Sequence, residues 1–222
     1  MKVILTGATG MVGKGVLYEC LDDPSVEQVL SISRSPCGMS NPKLKELLLK
    51  DLNDYSGVEE QLKGYDACFF CLGVSSAGMN EADYTKVTYD LTLALAKALV
   101  KVSPQATFIY VSGQGTDSTE KGGSMWARVK GRVENELLKL GFKGAYMFRP
   151  GLIIAKRGIK SRTALYRTFY AIGTPLWPLV ESAFPKAVTN TDKVGKAMIK
   201  VAIKGFPSKY LENREINTVA SA

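Results

Sequence analysis

The chain of 222 residues contains no histidine. That absence excludes Ser-His-Asp and Cys-His nucleophile pairs and histidine-ligated zinc, so any proton transfer falls to Tyr, Lys, Asp, Glu or Ser. Cysteine is scarce. Cys20, Cys37, Cys68 and Cys71 are too few to staple a chain of this length, which fits a reducing compartment. Cys68 and Cys71 form a C-x-x-C inside an apolar run, where a strand sends residues three apart to opposite faces; core packing is favoured over redox or metal use. No apolar stretch approaches the roughly 20 residues needed to cross a bilayer, and no signal peptide opens the sequence. A cytoplasmic protein without a membrane span is expected. Runs of five like charges, internal repeats, low-complexity tracts and Pro/Ser-rich linkers are also missing, so no domain boundary suggests itself.

What is present is an ordinary globular composition, 45 % apolar, with 29 Lys+Arg against 21 Asp+Glu and a net charge of +8. The charge favours an acidic partner through long-range steering. The basic residues are scattered and not interleaved with aromatics, so no nucleic acid is expected, and a phosphate-rich small molecule fits as well as any other acidic partner.

Apolar patterning alternates between strand and helix. Residues 1–6 form a short β-branched run ending in Gly7-Ala-Thr-Gly10-Met-Val-Gly13, after which Val12, Val16, Leu17, Cys20 and Leu21 share a helical face. Residues 26–33 read as the second strand. Residues 44–52 are a third candidate, although 43–50 has the composition of a helix. A short helix over 58–62, a strand over 66–72 and a loop over 73–80 follow. Asn80 caps a long helix with Val87, Leu91, Leu95, Ala98 and Val102 along its core stripe. A strand over 106–111, a helix from Ser124 ended by Gly141, and a strand over 145–148 continue the rhythm. Beyond it, 159–180 is partly helical and broken by Pro175 and Pro178. A helix over 191–203 and an edge strand over 215–219 close the chain. This pattern predicts a doubly wound parallel sheet covered by helices on both faces. A single domain over 1–222 is expected, with the irregular segment 152–185 as a small cap over a ligand site.

The glycine turn has a physical purpose if a pyrophosphate binds there. Gly7 allows a sharp turn, Gly10 lets the backbone approach the phosphates, and Gly13 lets the helix pack on the sheet, with free N–H groups at the helix start. The second strand ends in Ser33-Arg34. A hydroxyl and a guanidinium suit a 2′-phosphate, so NADP is expected over NAD, the alternative being that Arg34 is a solvated loop residue.

Thr6-Gly-Ala-Thr-Gly-Met-Val-Gly13, Asp51-Leu52, Cys71-Leu-Gly73, Val111-Ser112, Arg149-Pro-Gly151 and Thr191-Asp-Lys-Val-Gly-Lys-Ala-Met198 resemble the atypical short-chain dehydrogenase/reductase superfamily. Within it the chain is similar to the small branch of Tat-interacting oxidoreductase-like proteins, of the NAD-dependent epimerase/dehydratase-like kind. The resemblance implies a Rossmann fold and a small-molecule substrate. By analogy it also implies a homodimer. Its cofactor contacts would be Gly7, Thr9, Gly10, Met11, Val12, Gly13, Ser33, Arg34, Asp51, Leu52, Leu72, Gly73, Lys130, Pro150 and Gly151.

The same resemblance implies a catalytic Ser, Tyr and Lys, with the lysine four residues after the tyrosine. Ser112 and Lys130 fall at matching positions, but Trp126 stands where the tyrosine belongs. An indole N–H donates a hydrogen bond and exchanges no proton near neutral pH. Tyr84, Tyr166 or Tyr170, or Lys130 and water, are the remaining proton sources; a non-catalytic dinucleotide sensor is the alternative reading. Residues 166–180 suit an apolar pocket or an interface better than a membrane contact, because the prolines interrupt any regular amphipathic helix. Arg157, Lys160, Arg162 and Arg167 either receive an acidic substrate or form a solvated basic face.

Overall fold

The computed structural model describes residues 1–159 and 177–222. Seven strands form one sheet: β1 (Lys2–Thr6), β2 (Gln28–Ser33), β3 (Leu44–Leu48), β4 (Ala67–Phe70), β5 (Thr107–Val111), β6 (Gly144–Arg149) and β9 (Tyr210–Glu212). Their order is β3-β2-β1-β4-β5-β6-β9, and every neighbouring pair is parallel. Two further strands, β7 (Leu152–Ile154) and β8 (Val188–Asn190), pair with each other in parallel.

Parallel strands joined by helical crossovers are covered on both faces, which is why β1 and β4 are apolar at nearly every position. Alternate residues serve different cores. Val3, Leu5, Val29, Phe69 and Phe148 pack with α1 (Met11–Asp22), α6 (Thr191–Lys204) and α7 (Asn213–Ser221). Ile4, Leu30, Cys68, Phe70, Phe108 and Met147 pack on the opposite face with α3 (Leu91–Val102) and α4 (Met125–Lys139). The C-x-x-C divides as strand geometry requires, with Cys68 in one core and Cys71 against the other, and both thiols are free.

The long helix begins as α2 (Glu81–Thr85), where the Asn80 side chain accepts the Asp83 amide. It passes through a π-helical turn at Lys86–Asp90 into α3. The segment with helical composition near residue 44 is strand β3. It pairs with β2 along Leu44–Leu48, and as an edge strand it buries Leu47 while exposing Lys45 and Glu46.

The edge strand expected over 215–219 is instead helix α7, and the strand lies just before it at β9. Its amphipathic pairs are four residues apart: Ile216 and Ala220 enter the core, while Asn213 and Asn217 both donate to the carbonyls of Pro185 and Val188. Positions 213, 216, 217 and 220 share one face of a helix and are all buried, whereas a strand would turn 213 and 217 away from 216 and 220. Asn213 also accepts the Gly151 amide at 2.9 Å, tying the β6–β7 connection to α7.

Within the expected cap over 152–185, the described residues form β7 and α5 (Trp177–Ala183), and β8 lies just beyond it. The expectations placed on Lys160, Arg162, Tyr166, Arg167, Phe169, Tyr170, Pro175 and Leu176 lie outside the described residues. Arg157 is not open to an acidic substrate. Its guanidinium pairs with Glu19, with Asp22 at 2.6 Å and with Asp192 at 3.5 Å, fastening the segment after β7 to α1 and α6.

Helices α1 and α6 approach so closely that glycine is needed on both. A Cβ on Gly15 would lie 2.4 Å from Thr191 Cβ, and one on Gly195 would lie 2.7 Å from Glu19 Cγ. Gly15→Ala is therefore expected to lower stability by about 1–3 kcal/mol through overpacking. Urea denaturation would show a lower midpoint with an unchanged slope.

Candidate functional site

From β1 the chain winds outward to β2 and β3, and from β4 it winds the other way to β5 and β6. The crevice at the carboxyl ends of β1 and β4 is the topological switch point, where open α/β sheets hold their ligands. The turn Gly7-Ala-Thr-Gly10 enters this crevice and α1 begins directly after it, with Gly10 as its N-cap and no side chain capping the first turn. Two of the three glycines answer to the fold. Gly7 has φ +75°, and a Cβ there would lie 2.6 Å from the Cys71 carbonyl oxygen. A Cβ on Gly13 would lie 2.2 Å from the Gly7 carbonyl oxygen. Gly10 differs, because its Cβ would meet only that same oxygen, at 3.3 Å, and otherwise open space.

The open side of Gly10 and the uncapped amides of α1 suit a pyrophosphate. Thr9, Met11 and Val12, in the turn and the first helical residues, are partly exposed, and Val12 also packs against the first core. Across the crevice the Leu72 amide donates to Thr6 Oγ1 at 3.3 Å, and a Cβ on Gly73 would have no neighbour within 4 Å. At the next strand ends, Leu52 is buried in the second core, while the exposed Asp51 carboxylate accepts the Asn53 amide at 2.8 Å. Pro150 accepts the Gln114 amide at 2.9 Å. A Cβ on Gly151 would lie 2.2 Å from the Ala187 carbonyl oxygen, so this glycine meets a packing demand.

Ser33 and Arg34 do not form a matched pair. The Ser33 hydroxyl is buried and donates to the Ser35 carbonyl at 2.7 Å, while Arg34 is exposed. One half of the combination that suggested a 2′-phosphate is thus already engaged by the backbone.

Ser112 and Lys130 are brought together at the end of β5, though not through the serine hydroxyl. Ser112 Oγ is buried and donates to the Phe148 carbonyl at 3.2 Å, whereas the Lys130 ammonium donates to the Ser112 carbonyl. Burial pushes the Lys130 pKa down from 10.5 to about 8, against the opposing pull of the Glu134 carboxylate. Trp126 lies one turn before Lys130 on α4, with its ring edge 3.7 Å from the Cβ position of Gly115 in the loop after β5. That loop is folded around Asp117, whose carboxylate accepts the Thr119 hydroxyl and the amides of Thr119, Lys121 and Gly122. It sits on bare helix backbone, since a Cβ on Gly131 would lie 1.8 Å from the Asp117 carbonyl oxygen. Of the alternative proton sources, Tyr84 is 2 % exposed, and burial raises its pKa.

Two residues were not singled out by sequence reasoning. Glu134 is fully buried on α4, and Arg149, noticed only as a motif letter, forks onto it from the end of β6 with Nε to Oε1 at 3.0 Å. The available signal was a carboxylate at i+4 from Lys130 on an otherwise apolar stripe.

Comparison with known proteins extends this picture. The model of the NAD dependent epimerase/dehydratase family matches residues 3–119. The chain is 29 % identical to the mitochondrial protein fmp52 of Emericella nidulans over 212 residues, covering 92 % of this chain and 88 % of the relative. It is 31 % identical to the mitochondrial protein fmp52 of Aspergillus clavatus over 163 residues, covering 70 % and 68 %. The fold is shared with the Bordetella bronchiseptica enzyme WbmF, solved in complex with NAD+, at a TM-score of 0.64 and 15 % identity, covering 98 % of this chain and 76 % of that one.

These findings correct two expectations. The preference for NADP is overturned by the NAD dependent family and the NAD+ complex, consistent with the engaged Ser33 hydroxyl. The cytoplasmic assignment is overturned by the mitochondrial relatives; it had rested on missing sequence signals, which is weak ground. Among the described residues, no helix is long and apolar enough to cross a membrane.

The lowered Lys130 pKa has a consequence for stability. Between about 8 and 10.5 the unfolded chain holds the proton that the folded chain has released, so this residue makes stability rise with pH across that window. Lys130→Met is expected to be the more stable protein at pH 7, by about 3 kcal/mol, with the advantage vanishing by pH 10.5. Urea denaturation of both proteins at the two pH values checks this.

Proposed function

Because the chain belongs to the NAD dependent epimerase/dehydratase family, we propose that it binds NAD in the β1/β4 crevice and acts as an oxidoreductase on a small molecule, with Lys130 handling the proton. Family membership makes it a dinucleotide-binding, oxidoreductase- or epimerase-like protein of the short-chain dehydrogenase superfamily. The observation that carries the proposal is the pairing of an open glycine cradle at Gly10 with the half-buried Lys130 ammonium on the Ser112 carbonyl, both at the carboxyl edge of one sheet.

The residues fit the cofactor. Amides of the Gly7–Gly13 turn and the start of α1 would hold the pyrophosphate, and the exposed Arg34 at the end of β2 would lie toward the adenosine ribose. Bound NAD supplies a hydride acceptor, or a donor when reduced. The chain contributes the rest. Lys130, with a pKa of about 8, holds or releases a proton at Nζ near neutral pH, where general acid–base transfer is effective. The Ser112 carbonyl fixes that ammonium, and the half-buried Trp126, one turn earlier on α4, carries an indole N–H that can donate but exchanges no proton near neutral pH.

A second reading is a dinucleotide sensor without turnover. It is favoured by Trp126 at the tyrosine position and by the engagement of the Ser112 hydroxyl with Phe148.

Titration of the purified protein with NAD and NADH, followed by energy transfer from its tryptophans to the reduced nicotinamide, tests the binding. Gly10→Ala is expected to weaken it at least about tenfold while leaving the thermal midpoint nearly unchanged, because the added methyl occupies the cradle and little else. A protein that binds neither form at submillimolar concentration contradicts the reading. Turnover of carbonyl substrates that disappears in Lys130→Met supports the enzyme; turnover confined to Trp126→Tyr selects the sensor.

A further inference from the structure

We propose that Arg149 is a positioning residue for Lys130: by holding Glu134 in a forked ion pair, it keeps that carboxylate from the ammonium one turn away and leaves Lys130 Nζ on the Ser112 carbonyl. The proposal deepens the reading above, since it concerns the site in which Lys130 is given its role, but its geometry stands without any cofactor.

Residues at i and i+4 on a helix face are neighbours, and Lys with Glu at that spacing is an ordinary ion pair. Lys130 and Glu134 have that spacing and both turn inward, yet the lysine's hydrogen bond goes to a neutral backbone carbonyl on another element. Glu134 is fully buried and is taken by Arg149, through Nε at 3.0 Å and through a second bond from Nη2 to the other oxygen. Two parallel N–H donors match a carboxylate better than an ammonium does. Arg149 is itself held on three sides: Nη2 also donates to Ser118, Nη1 lies 3.4 Å from Glu212, and the guanidinium sits 4.5 Å from the centroid of the Tyr210 ring.

The charged and titratable groups around this cluster come from every packed element. They are Glu134 on α4, Arg149 on β6, Glu212 and Tyr210 on β9, Tyr110 on β5 and Tyr84 on α2. Burial holds both Tyr110 and Tyr84 neutral far above the range in which Lys130 titrates. The cluster's charge near neutral pH is therefore set by the two cations and the carboxylates of Glu134 and Glu212. Removing Arg149 leaves Glu134 a buried anion with only the Ser118 hydroxyl, 3.4 Å from Oε2, donating to it, one turn from the half-buried Lys130 ammonium. The ammonium then becomes its partner, is drawn off Ser112, and holds its proton more tightly.

The test is a direct titration of Lys130 by NMR of lysine labelled at Cε and Nζ, its resonance identified by its loss in Lys130→Met. In the unaltered protein Lys130 is expected to titrate below the exposed lysines. Arg149→Gln keeps a donor for Glu134 but removes the charge; it is expected to raise the Lys130 midpoint by about one pH unit or more, a tenfold shift in proton affinity. Arg149→Lys is expected to stay near the starting value, and Glu134→Gln/Arg149→Gln to return to it. An unmoved midpoint in folded Arg149→Gln overturns the proposal. Should that variant not fold, Arg149→Gln placed in the Glu134→Gln protein decides: an Arg149 that acts through Glu134 leaves the Lys130 midpoint unmoved there, whereas a midpoint that rises shows Arg149 acting on the ammonium directly and overturns the proposal. NADH affinity measured on the same proteins separates this inference from the functional one. A shifted lysine with no NADH binding in any protein, the unaltered one included, rejects the NAD reading and leaves the positioning intact.

Discussion

The contact between the β1–α1 turn and the end of β4 governs the carboxyl edge of the sheet. Gly7 lies against the Cys71 carbonyl at a distance that no side chain tolerates, and Gly13 lies against Gly7 in the same way. This double close approach brings the start of α1 down onto the sheet, with its uncapped amides directed along the crevice. Gly10, placed between them, is under no comparable demand from the fold. The turn thus separates into two positions that build the crevice and one that leaves it open. Such a division is expected when backbone must approach a bound phosphate.

The same economy of side-chain volume recurs where α1 meets α6. Gly15 against Thr191 and Gly195 against Glu19 allow the two helices to share one face of the sheet, and Arg157 then closes over their ends by pairing with Glu19, Asp22 and Asp192. The C-terminal helices are therefore part of the support for the cradle. The buried amides of Asn213 and Asn217 extend that support to β8 and to Gly151, satisfying backbone groups that a short two-stranded ladder leaves without partners.

Legibility in the sequence followed the strength of the local signal. The strands of the buried sheet are continuous apolar runs bounded by glycine or polar residues, and β1, β2, β4, β5 and β6 lie where those runs lie. Residues 215–219 read as an edge strand because Ile216, Thr218 and Val219 favour β structure by propensity, whereas 213–221 is a helix. Its real determinants, the asparagines that bind Pro185 and Val188, depend on a segment distant in sequence. The glycine cradle and Lys130 were visible as spaced residue types. The direction of the Ser112 hydroxyl, the engagement of Ser33, and the Glu134–Arg149 pair were not, since each is decided by which carbonyl or carboxylate tertiary packing brings near. NADP was expected for the same reason: a residue pair was weighed as though both members faced the ligand.

The buried pair is better understood through what it withholds than through what it stabilises. Taking a carboxylate and a guanidinium out of water costs several kcal/mol per ion, and well-packed apolar residues often serve a core as well or better. A fold needing only stability at this point has little use for an ion pair on an otherwise apolar helix face. Near Lys130 the requirement is different. An ammonium buried beside a free carboxylate becomes an ion pair with a raised pKa, tied to its own helix and unable to exchange a proton near neutral pH. With Glu134 already neutralised, Lys130 remains on a backbone carbonyl at the strand end, with its pKa lowered to about 8. In a chain without histidine, that arrangement leaves an ammonium with a lowered pKa at the carboxyl end of β5 rather than in an ion pair on its own helix.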